Sequence, residues 1–443
     1  MINAQNFVKT LEGKPVAVFG LGKSGLSVIA ALRELSVKVE AWDDNPQSHE
    51  AALQLGAGVI PLADMDLSDF ACLVLAPGIP LHHPAPHPVV IAAHHAGIEV
   101  IGDIEILHRC SHGRATIGIT GTNGKSTTTA LIAHILNSCG IKAVSGGNIG
   151  EPVMSLMLPP TNGALVLELS SFQLDLCPSF TPDIAVLLNI TPDHLDRHGT
   201  MEEYIAVKEK IFGESGVAIV ATDDDHTKKI AATLAKKNQH TLYTVSARGE
   251  GLPECNALQG AHNRQNMAAA LAVCRHLGLT DEQIFEAMKS FPGLNHRQYL
   301  TRVINGVGYI NDSKATNAEA AARALECSRN IYWIVGGRAK EGGLKGLENY
   351  MDRVSHAFVI GESMDDFSGW LKKNGVDHSL SENMDVAAEQ AHRMAQNERG
   401  QPGGAGTVLL SPACSSFDQY TNFEQRGDHF TALVAAFDEE EAA

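Results

Sequence analysis

Short apolar runs rich in β-branched residues and bounded by glycine recur along the chain, at residues 15–20, 37–42, 72–75, 115–120, 164–168, 184–189, 217–220, 331–336, 357–360 and 407–410. Between them lie stretches whose apolar positions have helical spacing, such as 129–136 and 201–212. Strand runs alternating with helical patterns predict parallel sheets joined by crossover helices, an α/β architecture. One hydrophobic core usually organises about 150 residues, so 443 residues predict three domains. The alternation divides accordingly at about residues 108 and 297. No short-period repeat is present, which argues against a solenoid or a propeller.

Composition narrows this picture. A 44% hydrophobic and 19% charged chain without low-complexity blocks can build packed cores and is not expected to be disordered. The net charge of −17, with no cluster of Lys and Arg, argues against a polynucleotide partner. Small anions can still bind where a few cations and backbone N–H groups converge. The eight cysteines are dispersed without C-x-x-C spacing, which disfavours a zinc ribbon or a disulfide framework and fits a reducing compartment. Residues 1–15 lack the apolar core of a leader, and no run approaches the roughly 20 apolar residues of a membrane span. A cytoplasmic, unprocessed chain without membrane or nucleic-acid contact is therefore expected.

The run 115–120 leads into Gly121-Thr122-Asn123-Gly124-Lys125-Ser126-Thr127 and then a helical pattern. Strand, glycine turn, Lys-Ser and helix is the context of a phosphate loop. Glycines admit phosphate oxygens to backbone N–H groups, the helix N-terminus adds positive potential, Lys125 reaches the terminal phosphates, and Ser126 can hold Mg²⁺. The first glycine of G-x-x-x-x-G-K-[ST] falls on Ile119, so the loop is a variant. The plain alternative is a Gly-Lys-Ser turn that merely opens a helix.

Gly20-Leu21-Gly22-Lys23-Ser24-Gly25 fits G-x-G-x-x-G, with Asp43 and Asp44 ending the next strand run. Alone this suggests a dinucleotide such as NAD, or a tight turn used only for packing. A second nucleotide loop downstream makes NAD less attractive, because hydride transfer has no use for an ATP γ-phosphate. The first segment could instead hold the diphosphate of another nucleotide.

Further motifs carry a resemblance. Glu168-Leu169-Ser170-Ser171-Phe172-Gln173-Leu174, taken with the phosphate loop, resembles the Mur ligases, the ATP-dependent amide-forming enzymes of peptidoglycan synthesis. Matches continue in Gly147-Asn148-Ile149-Gly150, Asn189-Ile190-Thr191-Pro192-Asp193-His194-Leu195-Asp196-Arg197, His262-Asn263-Arg264-Gln265-Asn266, Gly293-Leu294-Asn295-His296-Arg297 and Asn311-Asp312-Ser313-Lys314-Ala315-Thr316-Asn317. The stretch from Ser411 to Gly427 resembles in particular the members that add D-glutamate. The resemblance implies a Rossmann-like N-terminal domain (1–108) for a UDP-sugar and a central, P-loop ATPase-like domain with a mostly parallel sheet (109–297) for ATP. A C-terminal Rossmann-like α/β domain (298–443) would take the amino acid.

It also implies roles for particular residues. Glu168 and Ser126 would hold one Mg²⁺; His194 and Lys208, the latter carbamylated by CO₂, would hold a second. Read from the residues alone, Lys208 is a surface lysine and His194 a loop histidine. Asn263 and Asn266 stand at i, i+3 on one helical pattern and can reach one ligand together, as they can also cap a helix. Arg297, Asp312 and Lys314 would complete the ATP site. Thr316, Lys340, Ser416, Phe417 and Phe423 are the D-glutamate candidates, with Arg338 an alternative to Lys340. Ser24, Asp43, Asp44, Gly78 and Asn148 are carried over to the UDP-sugar, although Asp43-Asp44-Asn45-Pro46 lacks the basic residue expected near a uridine.

The activity implied is an ATP-dependent ligation of D-glutamate to UDP-N-acetylmuramoyl-L-alanine through an acyl phosphate, in a monomer whose domains close over the reactants. Rival readings are a folylpolyglutamate synthase-like ligase, which lacks the first domain, a nucleotide-dependent switch that only hydrolyses ATP, and last an NAD dehydrogenase.

Overall fold

The computed structural model describes residues 4–110, 113–214, 216–249, 251–255, 257–340, 342–399 and 405–437. Residues 1–3 of the N-terminal stretch and Glu341 of the glycine-rich loop around Lys340 lie outside them. Three sheets follow one another along the chain. The first contains β1 (Val16–Phe19), β2 (Val39–Trp42), β3 (Gly58–Val59), β4 (Cys72–Leu75) and β5 (Glu99–Ile101), in the order β3-β2-β1-β4-β5. The second contains β6 (Ala115–Thr120), β7 (Ala143–Gly147), β8 (Ala164–Glu168), β9 (Ile184–Leu187), β10 (Gly216–Ala221) and β11 (His240–Val245), in the order β11-β10-β9-β6-β8-β7. The third contains β12 (Tyr299–Ile304), β13 (Val307–Asn311), β14 (Ile331–Gly336), β15 (Val354–Ile360), β16 (His378–Glu382) and β17 (Thr407–Leu410), in the order β12-β13-β17-β14-β15-β16.

Among the described strands only β12 and β13 pair antiparallel. The fold is therefore the α/β, mostly parallel type that the alternating pattern predicts. All ten apolar runs are strands, because an interior parallel strand is covered on both faces and must be apolar throughout. Every residue of β8, β9 and β14 is buried. Seven strands escaped the pattern: β3, β5, β7, β11, β12, β13 and β16. Six of these are the two edges of each sheet, where one flank meets no neighbour.

Internal contacts group the chain into two compact units. One comprises Met1–Pro253 with Asn263–Ser290 and holds the first two sheets; the other comprises Glu254–His262 with Phe291–Ala443 and holds the third. In the first unit the helix Lys125–Ser138 covers the second sheet with Leu131, Ile132, Ile135 and Leu136. Open parallel sheets bind ligands beyond the carboxyl ends of their strands. Beyond β6 comes the Gly121 turn, at the end of β8 stands Glu168, and beyond β9 comes Asn189.

Candidate active site

The turn after β6 is held in shape from three sides. Gly124 caps the helix Lys125–Ser138 with φ 87°, and a Cβ there would lie 2.3 Å from the Asn266 Oδ1, so only glycine fits. The Asn123 N–H donates to Asn189 Oδ1 at 2.8 Å, and Asn189 Nδ2 returns a bond to the Asn123 carbonyl at 3.0 Å. Asn189 is fixed in turn by Gln265 Oε1 at 2.9 Å, and Gln265 donates to Asp223 Oδ2 at 2.7 Å. The Thr122 hydroxyl donates to the Thr191 carbonyl, accepts from the Thr191 N–H at 3.0 Å and meets the Tyr204 hydroxyl at 3.0 Å. Thus Gly121 to Thr127 come together with Asn263 and Asn266, whose side chains bond to each other at 3.1 Å within the helix Ala261–His276. Lys125 folds back, donating to the Gly121 and Thr122 carbonyls at 3.0 and 2.8 Å.

Glu168 is buried at 2% exposure beside this loop. One carboxylate oxygen accepts from Asn148 Nδ2 at 3.0 Å; the other has no hydrogen-bond partner. A buried carboxylate oxygen left unsatisfied is costly, and a hard cation is the group that satisfies it. Lys208, on the helix Met201–Glu209, is 1% exposed and makes no ion pair among the described residues. Its Nζ donates to the Gly121 carbonyl at 2.9 Å, contacts Thr120 Oγ1 at 3.4 Å and lies 4.7 Å from the Tyr204 ring centre. Burial, reinforced by the Lys125 charge, holds its amine well below the ordinary lysine range, against the pull of Asp193. The surface lysine of the plain sequence reading is therefore an interior amine.

His194 caps the short helix Leu195–His198 in the left-handed region, φ 53°. Its ring lies 4.9 Å from Phe172 and 3.5 Å from the Asp193 carboxylate. Burial lowers its pKa, which favours the neutral imidazole with a lone pair to offer. Among the described residues no group of three or more His, Cys, Asp or Glu is assembled to hold a metal. The oxygen donors of Ser126 and Glu168 nevertheless suit Mg²⁺ once phosphate oxygens complete the shell, and the unpartnered Glu168 oxygen fits that role.

Around the first sheet, Asp43 accepts from the Leu21 N–H at 2.6 Å and the Asn45 N–H at 2.8 Å, tying the glycine turn to the end of β2. Ser24, on the helix Lys23–Glu34, hydrogen-bonds to Asp103, whose carboxyl burial pushes upward. Asp44 Oδ2 lies 3.0 Å from His87 Nε2. Gly78 is exposed and faces open space. Asn148 stands not with these four but on Glu168.

The second unit gathers its own candidates. Asp312 is buried and accepts from Ser411 Oγ at 2.8 Å and from the N–H of Gln298, the residue after Arg297, at 3.1 Å. Burial pushes its carboxyl up to about 7, and those two bonds together with the Arg297 charge oppose the rise. Lys314 Nζ lies 3.8 Å from the Phe423 ring centre, and the Thr316 N–H donates to the Lys314 carbonyl at 2.8 Å. Arg338 and Ser415 bridge through their backbones, bringing the loop of Lys340 beside Ser416. Arg338 is committed to Glu362 through two bonds of 2.9 and 3.0 Å, whereas Lys340 is exposed at the loop surface, as is Phe417. Buried Arg426 ties the two candidate segments together, donating to Ser313 Oγ, the Ser313 carbonyl and the Cys414 carbonyl at 3.0, 2.8 and 3.0 Å.

Asn189, Gln265, Tyr204 and Arg426 were not singled out as site residues from sequence. Three of them lie inside the quoted motifs, but their partners are distant in sequence, so no local spacing marks them.

Residues 14–102 match the Mur ligase MurD-like N-terminal domain, and residues 119–274 match the Mur ligase middle domain. The UDP-N-acetylmuramoylalanine--D-glutamate ligase of Agrobacterium fabrum is 45% identical, with 97% of each chain covered. The enzyme of that name from Rhizobium meliloti is 43% identical over 97% of this chain and 98% of its own. Among solved structures, the UDP-N-acetylmuramate-alanine ligase MurC of Thermotoga maritima aligns with a TM-score of 0.58 at 17% identity, covering 96% of this chain and 99% of that one. MurF of Acinetobacter baumannii aligns at 0.57 and 18%, covering 98% of each chain. Those two share the fold; the sequence relatives and the two matched domains go further, and with them the chain belongs to the Mur ligase family.

Proposed function

We propose that this chain is an ATP-dependent ligase that joins D-glutamate to UDP-N-acetylmuramoyl-L-alanine, releasing ADP and phosphate, in the synthesis of the peptidoglycan precursor. The observation that carries it is the meeting of the phosphate loop with a buried Glu168 whose second oxygen lacks a partner, in a chain 45% identical to a ligase of that name. A free carboxylate is a poor acyl donor, so the alanine carboxylate attacks the γ-phosphate of ATP and becomes an acyl phosphate. The amine of D-glutamate then displaces phosphate to give the amide.

Lys125 exchanges its two carbonyl contacts for the terminal phosphates, and the N–H groups from Gly121 to Thr127 cradle the chain of phosphates. Asn263, Asn266, Arg297, Asp312 and Lys314 serve the rest of ATP. Magnesium, when bound, supplies charge neutralisation on the phosphates, one ion at Ser126 and Glu168 and a second at His194 and Lys208. Lys208 serves as a carbamate: its neutral nitrogen forms a bond to the carbon of CO₂ and releases one proton, converting an amine into an anion. Its burial, its lowered pKa and the want of an ion pair among the described residues support this. Ser24, Asp43, Asp44 and Gly78 serve the UDP-sugar, Asn148 reaching it from beside Glu168, while Thr316, Lys340, Ser416, Phe417 and Phe423 serve D-glutamate. The three sheets would thus divide the substrates as 1–108, 109–297 and 298–443. Eight free cysteines support a reducing compartment, the cytoplasm, where the chain acts as a monomer.

The test is phosphate release with UDP-N-acetylmuramoyl-L-alanine, ATP and Mg²⁺, comparing D-glutamate, L-glutamate and other amino acids. Release stimulated by D-glutamate is expected. ATP turnover indifferent to both co-substrates would instead make the chain a nucleotide switch.

A further inference from the structure

Arg197 is a half-buried side chain to which neither the motifs nor the mechanism assigns a task. It lies on the helix Leu195–His198, three residues after His194. Its Nη2 donates to the Ile79 carbonyl and to the Pro77 carbonyl, the latter at 3.3 Å. These two carbonyls flank the exposed Gly78 on the turn that follows β4. The same guanidinium lies 5.2 Å from the centre of the Phe172 ring. Phe172 in turn contacts the rings of His194 and His198 at 4.9 and 5.5 Å, and His198 Nε2 meets Ser171 Oγ at 2.9 Å. One side chain therefore joins three segments: the turn after β4, the helix Ser171–Asp175 that follows β8 and carries Phe172, and the segment after β9 bearing His194.

The chemistry of the group suits the task. A guanidinium is planar and always charged, so it can lie over an aromatic ring while a fixed fork donates to two carbonyls, a geometry that an ammonium on a flexible stem holds less rigidly. Both carbonyls face the same Nη2, which fixes the turn in two places without contributing to the glycine cradle of the phosphate loop.

We propose that Arg197 is a positioning residue that sets the Gly78 turn against the His194 and Glu168 segments, and so aligns the nucleotide-sugar with the metal side of the site. The inference rests on the ligase reading above, and predicts a defect selective for one substrate of three. In Arg197→Ala the KM for UDP-N-acetylmuramoyl-L-alanine rises about tenfold, equivalent to ~1.4 kcal/mol, and kcat falls. The KM for ATP and the dissociation constant for ADP stay unchanged. Arg197→Lys recovers part of the loss, since it keeps a donor for the carbonyls but not the planar fork. A purely structural role would move all three KM values together or lower only the melting temperature.

The first control is calorimetric binding of UDP-N-acetylmuramoyl-L-alanine to the wild-type chain. Its absence overturns the ligase reading; its presence, with equal binding by folded Arg197→Ala, overturns the role of Arg197 alone. Uniform change across the three substrates also overturns that role. If Arg197→Ala does not fold, Arg197→Gln, which keeps a polar stem but loses the planar fork, is read by the same criteria.

Discussion

Lys125 and Lys208 donate to the same acceptor, the Gly121 carbonyl, at 3.0 and 2.9 Å. Two amines from different helices thus converge on the turn where phosphates are proposed to bind, and Lys208 has no ion pair among the described residues. An interior amine without an acid to balance it is expensive to keep, and its retention points to function.

Replacing Lys208 should therefore separate stability from activity. In Lys208→Met, similar in length but apolar, the ligand-free protein is expected to keep or gain stability, because the substitution removes the cost of burying an amine. Ligase activity is expected to vanish in Lys208→Met and Lys208→Ala alike, with a small carboxylate partly restoring the alanine variant. Thermal melts and phosphate release check both halves; unchanged turnover in either variant refutes the carbamate.

Glu168→Gln removes the charge behind the unpartnered oxygen while keeping its shape. Turnover should fall about 10²-fold or more, the scale of losing one charge-stabilising group, and the magnesium concentration for half-maximal activity should rise. Titrating Mg²⁺ against phosphate release measures this, and an unaltered requirement would remove Glu168 from the metal site.

Gly124→Ala places a methyl 2.3 Å from Asn266 Oδ1 at a residue with φ 87°. The left-handed conformation alone costs about 1–3 kcal/mol for a residue with a side chain, and either the loop or the Asn266 side chain must shift. ADP binding, followed by calorimetry, should weaken on the order of tenfold or more. Gly78→Ala meets open space and should leave ADP binding intact.

Asp312 yields a pH prediction. Its folded carboxyl is pushed up to about 7 by burial, from the ordinary 3.8 of an aspartate. The folded chain therefore holds a proton that the unfolded chain releases between those values, so the contribution of Asp312 is fully present below pH 4 and is lost as pH rises through 7. Relative to Asp312→Asn, the wild-type melting temperature should decline from pH 4.5 to pH 8. A constant difference across that range would show that Asp312 titrates normally.

What could be read in advance follows from where each residue sits. Interior strands such as β8 and β14 announce themselves because both faces are covered, so the chain must be apolar at every step. The edge strand β11 has no fully buried residue, and β7 ends in Gly146-Gly147, so neither carries that mark. The phosphate loop was legible because its parts are contiguous. Glu168 was half legible, as a carboxylate closing an apolar strand where open sheets place ligand groups, with a solvent-facing strand end as the equal alternative; Lys208 was not, since its burial depends on which elements lie beside which, and only the family resemblance singled it out. The pairing of Asn189 with Asn123, 66 positions apart, arises only when β6 and β9 lie side by side.

The Thr122 hydroxyl closes its valence within the protein. It has one proton and two lone pairs, and the Thr191 carbonyl, the Thr191 N–H and the Tyr204 hydroxyl take all three. A nucleotide arriving at this position meets main-chain donors only, because the side chain has nothing left to offer it. Selectivity at that step of the loop is thereby a property of backbone shape, and an inhibitor built to reach for the Thr122 oxygen would find no vacancy.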